Sequence, residues 1–225
     1  MDYRIISMGT LSCHPLWNER DEVRTGHGTT TLIRHGKQSI IVDPALPGEI
    51  LRARMRERTD LPFIEVTHVF LTSFNPELRR GLSLFDHATW WISEAEREAA
   101  GPLVFGELHK AEEADDAELC KKLSAEVEIL RRLEPAPDRL MEGVDLFPLH
   151  GVTPGLTGLI LASPASTTVV CGDAIPTLEH LAKRQAPRWA VDAYSAKESI
   201  AEVLEIADAL ILGRDGLVLK PNQRF

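Results

Sequence analysis

Apolar and β-branched runs, cut short by Gly, Pro and Asp, alternate along this chain with stretches of helical period. YRIISMG (Tyr3 to Gly9), TTTLIRH (Thr29 to His35) and SIIVDP (Ser39 to Pro44) read as strands. His35-Gly36-Lys37-Gln38 reads as a hairpin turn, because glycine tolerates the positive φ of a tight turn. PGEILRARMRER then puts Ile50, Leu51 and Met55 at helical spacing with arginines opposite. THVFLT is a buried strand stopping at Ser73, SFNPELRRG a loop entering a short helical turn, and ATWWIS (Ala88 to Ser93) a further strand. From Glu94 to Leu133 the pattern is helical and acidic, with Cys120, Leu123, Val127 and Leu130 on one stripe. It predicts a helix covering the core with a solvated face; the alternative is a dimer helix or a lid.

EPAPDR (Glu134 to Arg139) interrupts this pattern, since two prolines remove backbone donors and fix φ, and it divides the chain into halves of about 1–134 and 135–225. Strands recur over Arg139 to Glu142, Val144 to Pro148, Gly158 to Ser163 and Thr167 to Cys171. Helices over Pro176 to Lys183 and Ser195 to Ala207, and a strand over Ala209 to Gly213, complete the order. Strands followed by helix in each half predict one domain over 1–225, an α/β fold of two sheets packed face to face with helices outside.

Composition narrows the function classes. A chain of 225 residues with 44% hydrophobic residues can bury one sizeable core. The net charge of −9 argues against general affinity for nucleic acid or anionic membrane, leaving small molecules or proteins as partners and a homodimer as possible. Cys13, Cys120 and Cys171 form no CxxC pair and read as reduced thiols. The first residues are too short and polar for a signal peptide, and no run approaches a membrane span, so the expected location is cytoplasmic.

Chemistry concentrates where buried strands run into polar residues: VFLTSFNPEL, VVCGDAIP (Val169 to Pro176) and LILGRDG (Leu210 to Gly216), with a Thr-Pro-Gly turn in LHGVTPGLTGLIL (Leu149 to Leu161). In order and spacing these four resemble the metallo-β-lactamase superfamily, with its THxHxDH loop, TPGHT turn, GD after a strand and late GH. The resemblance runs from GKQSIIVDP to LILGRDG. It implies an αββα four-layer sandwich of two mixed β-sheets flanked by helices, and metal-dependent hydrolysis as the ancestral chemistry.

Position by position, the resemblance keeps a frame and changes its contents. Thr72 matches, the two histidines of HxH become Ser73 and Asn75, the aspartate becomes Glu77 and the next histidine Leu78. Thr153, Pro154, Gly155 and Thr157 fit the turn, but its ligand histidine is Leu156. Asp173 matches the bridging carboxylate, and Arg214 replaces the closing histidine. A catalytic zinc takes about three protein ligands; these positions offer no imidazole, and a guanidinium repels a divalent cation. No metal or other cofactor is expected there. Zinc or iron would require a rebuilt site using His14, His27 or His150, none of which has HxH or HxxxH spacing, so each reads as a satisfied loop or core histidine. His35 and His68 read as structural, and His109 and His180 lie in helical surroundings.

Two carboxylates facing one pocket without metal need a cation, and the expectation is that Arg214 pairs with Asp173 and also Glu77. The plainer alternative has Asp173 capping IPTLEHL and Arg214 at the surface. Ser73 lacks a GxSxG elbow, and no cysteine has an activating pattern, which disfavours covalent catalysis. Cys13 to Gly28, with Trp17, and Ala182 to Tyr194, with Trp189 and three basic residues, are either connections or rims of a pocket. The leading expectation is a metal-less, inactive relative that binds a small molecule or protein through the old cleft at Ser73, Asn75, Leu78, Leu156, Asp173 and Arg214. The alternative is a hydrolase of an ester, thioester or lactone-like substrate with Asp173 and Glu77 as acid or base, Ser73 and Asn75 as donors and Arg214 as oxyanion stabiliser. A third is an obligate partner of an active paralogue.

Overall fold

The computed structural model describes residues 1–219. Strands β1 (Asp2–Ser7), β2 (Thr30–His35), β3 (Gln38–Val42), β4 (His68–Leu71), β5 (Thr89–Ile92) and β6 (Glu134–Pro135) form one sheet in that order. Its first three strands are antiparallel and the rest parallel. The second sheet contains β7 (Arg139–Met141), β8 (Val144–Pro148), β9 (Thr157–Ala162), β10 (Thr167–Val170), β11 (Ala209–Ile211) and β12 (Leu217–Leu219), again ordered as in the chain. There β10 and β11 are parallel and the other neighbours antiparallel. The chain changes sheet between Pro135 and Arg139, within EPAPDR.

Each apolar run is apolar on both faces because each sheet is covered on both faces. In β2, β3 and β4, Leu32, Ile41, Val69 and Leu71 turn outward to helices α1 (Gly48–Arg58), α2 (Glu94–Glu113) and α3 (Ala117–Arg132), while Ile33, Ile40, Val42 and Phe70 turn inward. The inward set meets Leu159, Leu161, Val170 and Ile211 of the other sheet. Val169 and Leu210 face outward to α4 (Leu178–Lys183) and α5 (Ala193–Ile206). The result is a sandwich of helices, sheet, sheet and helices.

The structure adjusts several expectations. Gly36 takes φ 59 in the hairpin between paired His35 and Gln38. Leu51 and Met55 are buried, but Ile50 is exposed, because the buried stripe of α1 is narrower than its apolar spacing suggests. The acidic segment is two helices: Asp115 turns left-handed at φ 54, and the Asp116 carboxylate caps α3 by accepting from Leu119 N at 2.9 Å. The stripe of α3 turns inward, with Val127 and Leu130 buried. β6 and β12, which the sequence pattern does not signal, are edge strands of two and three residues. No helix of the described residues is long and apolar enough to cross a membrane.

Candidate functional site

The four polar junctions meet at one edge of the sandwich. Thr157 N donates to Thr72 O at 3.0 Å, tying the Thr-Pro-Gly turn to the end of β4. Gly172, at φ 52 after β10, lies so close to Thr72 that a Cβ would stand 2.6 Å from its hydroxyl, so only glycine fits. Glu96, which the sequence reading passed over, stitches the two loops. Its carboxylate accepts from Phe74 N at 2.9 Å, Thr153 Oγ1 at 2.6 Å and Gly155 N at 3.2 Å. Ser93 and Glu96 carry a readable signal, Ser three residues before Glu at a helix start, and Ser93 Oγ does accept from Glu96 N.

Arg214, carried three residues beyond β11, is buried beneath this edge. Its Nε and Nη2 donate to the two oxygens of Asp173, each at 2.7 Å, a fork-to-fork pair. Nη1 donates to Glu77 Oε2. Asn75 Nδ2 donates to Asp173 at 3.3 Å, and Asn75 Oδ1 accepts from Glu77 N at 2.9 Å. Burial alone would lower the pKa of Arg214, but the Asp173 and Glu77 carboxylates outweigh it and raise it above its ordinary value. The cluster therefore keeps its positive centre at every accessible pH.

Asp43, just past the end of β3, is a second omission. The Asp-Pro step in SIIVDP could have signalled it. The residue adopts φ 47, and its carboxylate accepts from Thr72 N at 2.9 Å and Thr72 Oγ1 at 2.8 Å. Burial pushes its pKa up to about 7, the Thr72 hydrogen bonds oppose the rise, the Asp173 charge adds to it and Arg214 again opposes it.

Sequence reasoning placed Ser73, Asn75, Glu77, Leu78, Leu156, Asp173 and Arg214 in one region, and the chain brings them to the same edge. Their roles divide. Asn75, Glu77, Asp173 and Arg214 form the polar cluster. Ser73, Leu78 and Leu156 are buried, Leu156 among Leu149, Val152, Cys171 and Ala174, and Leu78 directly under Gly28 of the N-terminal loop. That loop closes over the edge through Gly28 N to Glu77 O at 3.4 Å and Thr29 N to Gly213 O at 2.7 Å. The main hollows of the described surface open elsewhere, beside the β2–β3 hairpin, between α2 and α3, at the α4–α5 link and beside α1.

The histidines do not converge on this edge. His27 engages Thr25 O and Met8 O through its two ring nitrogens, and His150 is exposed. His14 enters a separate buried cluster, where its Nε2 lies 3.2 Å from Thr177 Oγ1 and 3.1 Å from Glu179. Thr177 Oγ1 is also 2.9 Å from His180 Nδ1, and Trp17 stacks on His14 at 4.2 Å while donating to Glu179 at 2.7 Å. Burial, then the neighbouring His14, pushes the His180 pKa down to about 4 against the opposing Glu179. His14 Nδ1 is buried without a partner among the described residues. Cys171 is buried, and burial pushes its thiol pKa up, away from a reactive thiolate.

The donor set does not fit a dinuclear metal centre. Its one retained carboxylate, Asp173, is saturated by a guanidinium, and two ligand positions are leucines buried in apolar surroundings. Among the described residues, no three His, Cys, Asp or Glu side chains group as ligands.

No functionally curated protein matches the sequence. Solved structures match it closely in fold at low identity. AidC, a dizinc quorum-quenching lactonase, aligns with TM-score 0.65 and 17% identity over 85% of this chain and 74% of its own. A Thermotoga maritima protein assigned to the metallo-β-lactamases aligns with TM-score 0.69 and 15% identity over 97% and 98%. A variant of AiiA from B. thuringiensis, with N-decanoyl-L-homoserine bound at its active site, aligns with TM-score 0.59 and 16% identity over 90% and 86%. At these identities the likeness establishes the fold. The sequence profile of the metallo-β-lactamase superfamily matches residues 23–211, most of the chain, and with the two-sheet sandwich this makes the chain a member of that superfamily.

Proposed function

We propose that this member of a hydrolase family has exchanged its metal centre for a buried arginine–carboxylate cluster and acts as a binder of a small molecule or protein. The observation that carries the reading is the two-pronged bond from Arg214 to Asp173, with Glu77 on the third nitrogen. A guanidinium there satisfies the carboxylates that would otherwise draw a cation, and it makes the inherited pocket electrostatically complete without metal. Leu78 and Leu156 supply core packing in place of donors. Because the interior is filled, a partner would meet the rim, where Asn75 and Glu77 are half-exposed and Trp17 is exposed.

Zinc and iron analysis of the untagged protein tests this, with far less than one ion per chain expected. Near-stoichiometric metal would sink it.

A second reading, hydrolysis of an ester, thioester or lactone-like substrate, draws support from the half-exposed Asn75 and Glu77 beside a fixed cation, an arrangement able to hold an oxyanion. Against it stands the commitment of Asp173 and Arg214 to each other, which leaves neither free to move a proton. Lactonase and esterase assays on the wild type and on Asp173→Asn separate the readings. The binder reading expects no activity in either, and turnover abolished by Asp173→Asn, with circular dichroism unchanged, favours the hydrolase.

A further inference from the structure

Away from the buried edge, the link between α4 and α5 borders an open surface hollow of about 490 Å3, within the size range of small-molecule sites. Lys183, Arg184, Arg188 and Lys197 line it together with Gln185, and no acidic side chain lines it. The chain carries 34 acidic against 25 basic residues, so a concentration of four cations around one concavity runs against the composition. Among the described residues these four have no carboxylate within 4.0 Å, although many arginines and lysines elsewhere are paired, including Arg24, Arg34, Arg79, Lys110, Lys122 and Arg132. Like charges held around a hollow repel one another, and they raise the local concentration of anions.

The backbone holds the cations in place. Arg184 sits at φ 48, a conformation rare for a side-chain-bearing residue, fixed by Arg184 N to Leu181 O at 3.0 Å and Gln185 N to His180 O at 2.9 Å. Lys197 projects from the N-terminal part of α5, whose helix dipole adds positive potential. The acids close in sequence face other partners: Asp192 caps α5, accepting from Tyr194 N at 2.9 Å and from Ser195 N at 3.1 Å, Glu198, next to Lys197, pairs with the Tyr194 hydroxyl, and Glu179 accepts from Trp17 at 2.7 Å. Exposed Trp189 and Tyr194 are neighbours of the lining residues in the chain.

We propose that this hollow binds a small soluble molecule carrying two or more phosphate groups, such as a nucleoside diphosphate. Two guanidiniums give two-pronged contacts to phosphate oxygens and two ammoniums add point charges, more than a single phosphate requires. The net charge of −9 over the whole chain disfavours a nucleic-acid strand and favours a compact ligand. The inference does not depend on how the Asp173–Arg214 cluster is read.

The test is calorimetric titration of the full chain, at low salt, with inorganic pyrophosphate and with adenosine diphosphate. Saturable binding of one molecule per chain is expected, weakened at least about tenfold in Arg188→Glu/Lys197→Glu, a loss of about 1.4 kcal/mol or more. Both positions are exposed, and circular dichroism checks that the fold is kept. A charge-matched control, Arg56→Glu/Lys121→Glu, should stay within about twofold of the wild type, since its exposed charges lie on α1 and α3, over the other sheet, and do not line the hollow. Absence of saturable binding for both probes overturns the proposal. So does equal weakening in the control, or binding only to vesicles of phosphatidylcholine with phosphatidylinositol phosphate.

Discussion

Arg214 and Asp173 meet through two hydrogen bonds of 2.7 Å in a cluster built around a permanent cation, whereas in the nearby cluster the His14 and His180 rings share the single Thr177 hydroxyl. In the first cluster every guanidinium nitrogen has a carboxylate partner. In the second, His14 Nδ1 has no partner among the described residues. Both lie behind the loop edge, and Arg214 N donates to Pro176 O, the residue before Thr177, at 2.7 Å. The difference teaches that burying a permanent charge demands complete pairing, because an unpaired ion in a low-dielectric interior costs far more than a single unpaired polar atom.

Removing the cation should break this contrast most severely. Arg214→Leu leaves buried Asp173 without its cation, while half-exposed Glu77 keeps Arg80, and is expected to cost about 3–5 kcal/mol in urea denaturation, with Arg214→Met/Asp173→Leu recovering much of the loss. A single variant as stable as the wild type would mean the pair is not buried as described.

Acidity distinguishes the clusters next. Asp43 has its pKa raised from 3.8 to about 7, so the folded state holds the proton more tightly. Its contribution is fully present below about pH 4 and is lost as pH rises through about 7, roughly 3 kcal/mol after allowance for relaxation of the site. His180, lowered from 6.5 to about 4, acts oppositely: its contribution is present above pH 6.5 and lost as pH falls through about 4. The two partly cancel between these limits. Asp43→Asn should remove the decline toward neutral pH and expose the acid-side decline, read from stability measured at a series of pH values. A pH profile of Asp43→Asn that matches the wild type would refute the assignment.

Loop stitching gives a smaller effect. Glu96→Ala removes the acceptor for Phe74 N, Thr153 Oγ1 and Gly155 N, with an expected cost of about 2 kcal/mol and faster amide exchange at Phe74 and Gly155. Protection retained at both amides would argue against that bridge. Thr177→Val should cost least, about 1 kcal/mol, since it takes one hydroxyl from two imidazole rings. A loss as large as that of Arg214→Leu would erase the distinction between the clusters.

Strands and their order were legible because apolar runs covered on both faces need no tertiary information to be recognised, as in Ile40, Ile41 and Val42 or Val69, Phe70 and Leu71. The helix break at Asp115 was not, since Asp116 reads equally well inside an acidic helix or as its cap. At the edge, that Ser73, Asn75, Leu78, Leu156 and Arg214 carry no imidazole was open to inspection in the chain itself. Asp43 and Glu96 were missed because their chemistry lies in contacts with Thr72, Phe74 and Gly155, tens of residues distant.

By itself the sequence determined the alternation that makes two sheets and their covering helices, and the residue types that stand at the polar ends of the buried strands. Tertiary structure decided which of the two readings of Arg214 holds: it turned that side chain inward onto Asp173, buried Leu78 and Leu156, and brought Lys197 of α5 to the three basic residues of the α4–α5 link. The physical reason is range. Periodicity and turn chemistry act over a few neighbours, whereas charge pairing and burial depend on which distant segments the fold brings within a few ångströms.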